Sequence, residues 1–465
     1  MRPRLRGRLR RLVPLGRNGR GRQPAAPEGR GVAAGTFRAL RHRNFRLYIV
    51  GQGVSLVGTW LQSVAQSWLV YRLTDSALLL GLAGFVGQAP VFFLAPIGGA
   101  VADHADKRRV LVATQTASAL LAAALGALTL SGHVTIGWVF AIAAALGVVN
   151  ALDIPTRQSF VVDMVARADL PNAIALNSSA VNAARVVGPA VAGVLVAAVG
   201  EGWCFLLNGL SFAAVIAALL AMRLGPRQAG AAARPLRAVA DAFAFVRAHP
   251  PVRDLLLLLG LVSVVGMPYA VLMPVFADRI LHGGSGAMGL LLGATGIGAL
   301  AAALLLASRA SARGLGRWVA ASAAGFGVAL VAFSASRSLL LSSGVLLFAG
   351  FFMMMQMAAS NTLLQVLSPD ALRGRIMAFY SMMFMGMAPF GALGAGTTAE
   401  RLGAPWTVAI GGVVSLVGGI VFALRLPALR QGAQALLAAH EVVAGEPVET
   451  AAPAGVRPDA ASGSA

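Results

Sequence analysis

The chain reads as an all-α membrane protein, with twelve transmembrane helices in two pseudo-symmetric six-helix bundles. Three observations predict this. Of 465 residues, 57% are hydrophobic and only 12% are charged, whereas a soluble domain carries roughly 25% charged residues. Apolar segments long enough to cross a hydrocarbon core recur twelve times. The two halves of the chain echo each other at a spacing of 200 residues.

The segments lie near 47–70, 77–101, 109–131, 134–155, 173–199, 203–223, 254–278, 286–307, 316–334, 338–362, 375–399 and 405–425. Before them, residues 1–46 hold fourteen arginines and form a basic tail. With charge but no apolar stretch, that tail is no secretory signal. It is expected to be disordered and attracted to anionic lipid. Residues 224–253 form a linker between the first bundle (47–223) and the second (254–425). Within it, Leu236, Val239, Phe243 and Val246 recur at helical spacing, which predicts an amphipathic helix on the membrane surface. Residues 426–465, rich in Ala, Gly and Pro from about Gln431, are expected to be a disordered tail.

Orientation follows from the positive-inside rule. The two tails, the linker and the gaps on their side hold 33 Arg and Lys residues; the opposite side holds Arg72, Arg279, Arg337 and Arg401. Both termini are therefore expected in the cytoplasm. The near absence of lysine points to a GC-rich bacterial genome, hence to a bacterial inner membrane.

Composition removes several classes of function. The net charge of +21 comes from arginines in tails and gaps, so nucleic acid is not an expected partner. The single lysine, Lys107, lies in "HADKRRV", outside any phosphate-binding loop, and no helix carries a Schiff-base lysine. Cys204 is alone, no His/Cys group has metal-ligand spacing, and no Ser/His/Asp motif supports an enzyme. No metal or cofactor is expected.

The repeat and the buried charges point to transport. "VDMVARADLPNAIAL" enters the fifth segment and "LQVLSPDALRGRIMAF" enters the eleventh; Pro189 and Pro389 sit at matching places in them. Paired breaks of this kind mark the moving core of secondary transporters. Arg185 lies about twelve residues into the fifth segment, near mid-bilayer, on one face with Asn182 and Pro189. An intramembrane charge faces a bundle interior or cavity and needs a partner. Asp153 is the best acidic candidate for that partner, and also the candidate proton-coupling group; Gln62, Gln66 and Asn150 could add polar help. Arg185 is either a structural tie between helices or a substrate-facing donor. Its candidate companions at a substrate site are Asn182, Gln62, Gln66 and Gln356. A cavity with no mid-depth carboxylate favours an anionic or neutral, hydrogen-bonding solute. The run "FAGFFMMMQMAAS" is either an adaptable apolar wall or ordinary helix packing.

Gating candidates cluster at helix ends. In "GGAVADHADKRRVL", Gly99 and Asp103 share a helix face, where the glycine would admit another backbone, and Lys107, Arg108 and Arg109 open the next helix. A charged turn is the plainer reading. Gly188, Pro189 and Gly193 form either a packing kink or a bend that controls access, since proline frees the carbonyl of Arg185.

These stretches resemble the major facilitator superfamily. Its signature between the second and third helices, G-x-x-x-D-R-x-G-R-[KR], is matched at Gly99, Asp103, Lys107 and Arg108. It is departed from at His104 and Asp106, where Arg and Gly are usual. In that family the Asp docks on the start of the eleventh helix, where this chain offers Arg373 and Arg375. The 188–193 stretch is similar to the exporter signature G-P-x-x-G-G. The passages 51–82, 151–193 and 361–396 look like the enterobactin-exporter-like branch. The resemblance covers about 37–426 and implies a monomeric secondary transporter. Its solute would bind between the bundles and be exported as a siderophore-like or drug-like compound, with protons as candidate coupling ions. Uptake on the same fold is the alternative, and a non-transporting scaffold or scramblase the third reading.

Overall fold

The computed structural model describes residues 37–223, 235–308 and 314–444. Twelve membrane-length helices run through them: α1 (Arg43–Thr74), α2 (Ala77–His104), α3 (Lys107–Leu130), α4 (Ile136–Phe160), α5 (Leu170–Val199), α6 (Glu201–Ala221), α7 (Pro250–Ile280), α8 (Gly284–Ala307), α9 (Leu315–Ala335), α10 (Leu339–Leu367), α11 (Asp370–Ser381, continuing into Ala388–Leu402) and α12 (Ala404–Ala444). Eleven of these are long and apolar enough to cross a bilayer; α1 has the length but carries a polar stripe. A linker helix, Pro235–Ala248, precedes α7.

The helix ends follow from local chemistry. Ser76 caps α2 by accepting from the Leu79 N–H, and Asp106 caps α3 by accepting from the Arg109 N–H at 3.2 Å. Asp106, the residue that departs from the superfamily signature, thus earns its place as a cap. Gly200 (φ +83°) ends α5 and Gly403 (φ +86°) ends α11, a conformation glycine adopts without steric cost.

The packing shows the pseudo-symmetry directly. In the first bundle α1 packs on α5 and α6, α3 on α4 and α6, and α2 on α4. Adding six to each number gives the pairs of the second bundle. The bundles meet through α2 against α11 and α5 against α8, which exchange under the same operation. Close approach at both seams depends on glycine. A Cβ on Gly193 would lie 2.5 Å from the Cα of Gly289, and one on Gly81 would lie 2.9 Å from the Cα of Gly396.

Five expectations need correction. Gly99 does not admit a backbone: a Cβ there would meet open space, whereas one on Gly98 would lie 1.9 Å from the Ala151 carbonyl of α4. One residue of helix rotation, about 100°, separates the two. The fourth segment runs past residue 155 to Phe160, because Pro155 sits within the helix and α4 continues beyond it. Pro189 does not break α5, which is helical throughout; α11 instead passes through a π turn, Met382–Gly386, just before Pro389. The first tail ends earlier than 46: a 3-10 turn, Arg38–Arg41, is anchored by Arg38 and His42 on Asp169. The final helix extends beyond Gln431 to Ala444, since "ALLAAHEVVA" favours helix and Leu429 and Leu436 are buried. Residues 1–36, 224–234 and 445–465 lie outside the described residues.

α7 is the least regular span. It passes from α-helix through a π turn (Val262–Gly266), a 3-10 stretch (Met267–Leu272) and a second π turn (Phe276–Ile280), around Pro268 and Pro274.

The glycine finding gives a paired test. Gly98→Ala should lower stability by about 1–3 kcal/mol through overpacking against α4. Gly99→Ala should leave the melting temperature of the purified protein unchanged or slightly raised. Equal melting temperatures for the two variants would contradict the α2–α4 packing.

Candidate functional site

The polar stripe on α1 builds the site. Ser55, Thr59, Gln62, Ser63, Gln66 and Ser67 recur every three or four residues and so lie on one side of the helix. Together with α2, α3, α4, α6 and residues 270–271 of α7, they line a cleft of about 460 Å³. From Ser55 to Val70 it follows α1 for roughly 22 Å, at about 1.5 Å per residue. Its wall adds Gln88, Gln115, Ser118, Asn150, Asp153, Arg157 and Asn208.

Most of these groups are held by one another. Asp153, 2% exposed, accepts from the Thr114 hydroxyl and the Gln115 amide, both at 2.8 Å, and pairs with Arg157 at 2.8 Å. The pair places a charge of each sign in the cleft wall, with no net charge. Asn208 donates to the Gln62 carbonyl oxygen at 2.6 Å, and Ser211 donates to Asn208. Gly58 makes room for this contact: a Cβ there would lie 2.5 Å from the Asn208 oxygen. One buried acceptor of a cleft-lining residue, Gln115 Oε1, has no partner among the described residues.

Arg185 occupies a different place. Its partner is not Asp153, which Arg157 has claimed from one helical turn away on α4. The Arg185 guanidinium lies 5.6 Å from the ring centroid of Trp60, and its buried Nε has no partner among the described residues. Tyr269 of α7 and Tyr380 of α11 lie within its electrostatic reach. The cleft itself is not free of carboxylate, contrary to the expectation from sequence: Asp153 lines its wall.

The remaining candidates divide between these places. Gln62 and Gln66 line the cleft; Arg185, Asn182 and Gln356 do not. Asn182 donates back to the Ser178 carbonyl of its own helix. Gln356 is 1% exposed with an unpartnered buried amide nitrogen. Met353 and Met355 are buried in α10, so that run is largely helix packing. Gly188 lets α5 lie on α1: a Cβ there would come 2.3 Å from that of Trp60. Pro189 and Pro389 are buried.

Of the gating candidates, Lys107 pairs with Asp163 at 2.8 Å, and Arg108 donates to the Leu220 carbonyl at 2.6 Å. Both ties stay within the first bundle. Arg373 donates to the Gln365 carbonyl at 3.2 Å, and Arg375 is half-buried. Asp103 lies in the last turn of α2, and its side chain is outside the described residues.

Thr114, Gln115, Asn208, Trp60, Tyr269 and Tyr380 were not singled out from sequence. The stripe on α1 and the polar residues Asn208 and Ser211 in the largely apolar α6 were visible signals. The two tyrosines had none, because their role depends on contact between bundles.

A family model described as transmembrane secretion effector matches residues 34–452. The chain is 27% identical over 373 residues to a staphyloferrin A transporter of Staphylococcus aureus, covering 79% of this chain and 92% of the relative. It is 24% identical over 395 residues to an enterobactin exporter of Citrobacter koseri, covering 84% and 93%. It is 27% identical over 387 residues to the multidrug efflux pump Tap of Mycolicibacterium fortuitum, covering 80% and 93%. In fold it is similar to the crystal structure of a bacterial homologue of the iron transporter ferroportin in an inward-facing state. There the TM-score is 0.62 at 17% identity, over 82% of this chain and 98% of that one. With twelve paired helices, a polar cleft and this match over most of its length, the chain belongs to the transmembrane secretion effector family of the major facilitator superfamily, and is a multi-pass membrane transporter.

Proposed function

We propose that the protein exports a siderophore-like or drug-like solute, anionic or neutral, across the bacterial inner membrane by alternating access. The observation that carries this reading is the polar cleft. A membrane bundle has no packing reason to gather so many amides and hydroxyls on five helices around empty volume. Relatives named for staphyloferrin A, enterobactin and drug efflux support the solute class. The basic balance of the loops supports cytoplasmic termini, a cytoplasmic linker and its helix on the inner surface.

In this reading Arg185 is the donor that meets solute oxygens. Its planar fork suits carboxylate or catecholate groups, and its unpartnered Nε keeps one donor available. Gln62 and Gln66 guide the solute along the cleft, and Gln356 adds a donor from the second bundle. Asp153 is the proton-coupling group, because it is the one acid among the residues that line the cleft. Asp103 docks on Arg373 and Arg375 to hold the cytoplasmic end in one state, while Lys107 and Arg108 tie that end to the rest of the first bundle. Gly188, Pro189, Gly193 and Pro389 let α5 and α11 move past their neighbours. The protein works as a monomer.

Transport in membrane vesicles tests the direction. Inside-out vesicles should accumulate staphyloferrin A or enterobactin when a proton gradient is imposed, and collapse of the gradient should stop it. Accumulation only in right-side-out vesicles would make the protein an importer, and none in either would end the transporter-of-siderophores reading. Asp153→Asn should uncouple this transport from the proton gradient; unchanged dependence on the gradient would place coupling elsewhere.

Arg185 separates a binding role from a structural one. Arg185→Lys keeps the charge but loses the fork, and should weaken binding of an anionic solute roughly tenfold or more, in line with about 1.5–3 kcal/mol for a charged hydrogen bond. Arg185→Ala should weaken it further, and more for an anionic than for a neutral solute. Lower melting temperature with unchanged affinity per folded molecule would make Arg185 purely structural.

A further inference from the structure

We infer that the turn between α1 and α2 carries a polar latch that closes the outer end of the cleft. At this end five contacts cross from the first bundle to the second. The Arg279 guanidinium, at the end of α7, pairs with the Asp75 carboxylate and donates to the Asp75 carbonyl at 3.0 Å. The Tyr71 hydroxyl donates to Asp278 at 3.1 Å. Glu400, near the end of α11, accepts from the Ser76 hydroxyl and from the Leu78 N–H, each at 3.1 Å. Four residues within and beside one turn, Tyr71, Asp75, Ser76 and Leu78, thus meet two helices of the opposite bundle.

The latch sits above the two glycine seams. Gly81 is one turn below Ser76 along α2, and Gly396 is one turn below Glu400 along α11. Gly193 and Gly289 form the matching seam between α5 and α8. The glycines let backbones touch, and the latch holds the ends that must separate for the cleft to open.

The backbone is unusual at the same place. Asp75 (φ +50°) and His282 (φ +52°) are the two non-glycine residues with left-handed backbone among the described residues. They occupy the α1–α2 and α7–α8 turns, which exchange under the pseudo-symmetry. Such positions cluster where a structure must switch. Asp tolerates the conformation better than most residues, so the position can bear a carboxylate. Arg279 holds that carboxyl below its usual range by hydrogen bonding, so the pair stays charged at neutral pH.

The composition suits a gate rather than a permanent tie. Asp75 and Arg279 are each more than half exposed. Exposed ion pairs contribute little stability, so solute binding or cycling can part them. The placement on the outer face rests on the orientation proposed above.

Cysteine accessibility tests the latch. In a Cys204→Ser background, Ser63→Cys places a thiol in the cleft about 16 Å below Thr74, at about 1.5 Å per residue. A membrane-impermeant maleimide is applied to intact cells. Asp75→Asn, which keeps the left-handed turn, and Arg279→Gln should each raise the labelling rate, by roughly two- to five-fold. The double variant should raise it no further than the larger single effect, since both remove one interaction. Ser338→Cys, at the same end but away from the latch, should label equally in all backgrounds. Unchanged Ser63→Cys labelling, or effects that multiply in the double variant, would overturn the latch. A rise seen only in inside-out vesicles would keep the latch and reverse the proposed orientation. None of these outcomes needs a transported solute, so they stand apart from the fate of the export reading.

Discussion

The low dielectric of the bilayer core is the constraint on which the structure depends. Every polar side chain that enters it must find a partner within the protein or line a cavity. Asp153 finds three partners on two helices, and Asn208 reaches Gln62 across a gap that only Gly58 leaves open. The helix with the most polar face, α1, is packed at the centre of its bundle against α5 and α6, and the cleft runs along it. Where partnering stops short, as at Gln115 Oε1, the residue belongs to the wall of the cleft.

Much of the fold was legible because membrane crossing leaves a crude signal. Length and apolarity mark eleven of the twelve helices, and internal repetition predicts that the second bundle repeats the packing of the first. The misreadings came from quantities that spacing does not carry. Gly98 and Gly99 are equivalent in a motif, and only helix rotation decides which meets α4. Pro189 and Pro389 match in position, yet α5 absorbs its proline while α11 inserts a π turn. Hydropathy ended α4 and α12 early, where burial and helix propensity carry both helices further.

The site was half legible. Gln62 and Gln66 were found through polarity in an apolar run, and Arg185 through its cost in the membrane. Assigning Arg185 to Asp153 failed because Arg157, one turn away on the same helix, already pairs with that acid. Tyr269 and Tyr380 come from the other bundle, at sequence separations no local pattern encodes.

Two rigid bundles that share symmetric seams should move by rocking, with one end opening as the other closes. Pulsed EPR distances on spin-labelled protein in bilayers test this most directly. One pair of labels, at Ser131 and Ser338, reports the end that carries the latch; a second, at Arg109 and Arg317, reports the opposite end. Across conditions that shift the equilibrium, such as loss of the Asp75–Arg279 pair, the first distance should lengthen while the second shortens. Distances that change together, or that hold one value at both ends, would contradict alternating access between two bundles.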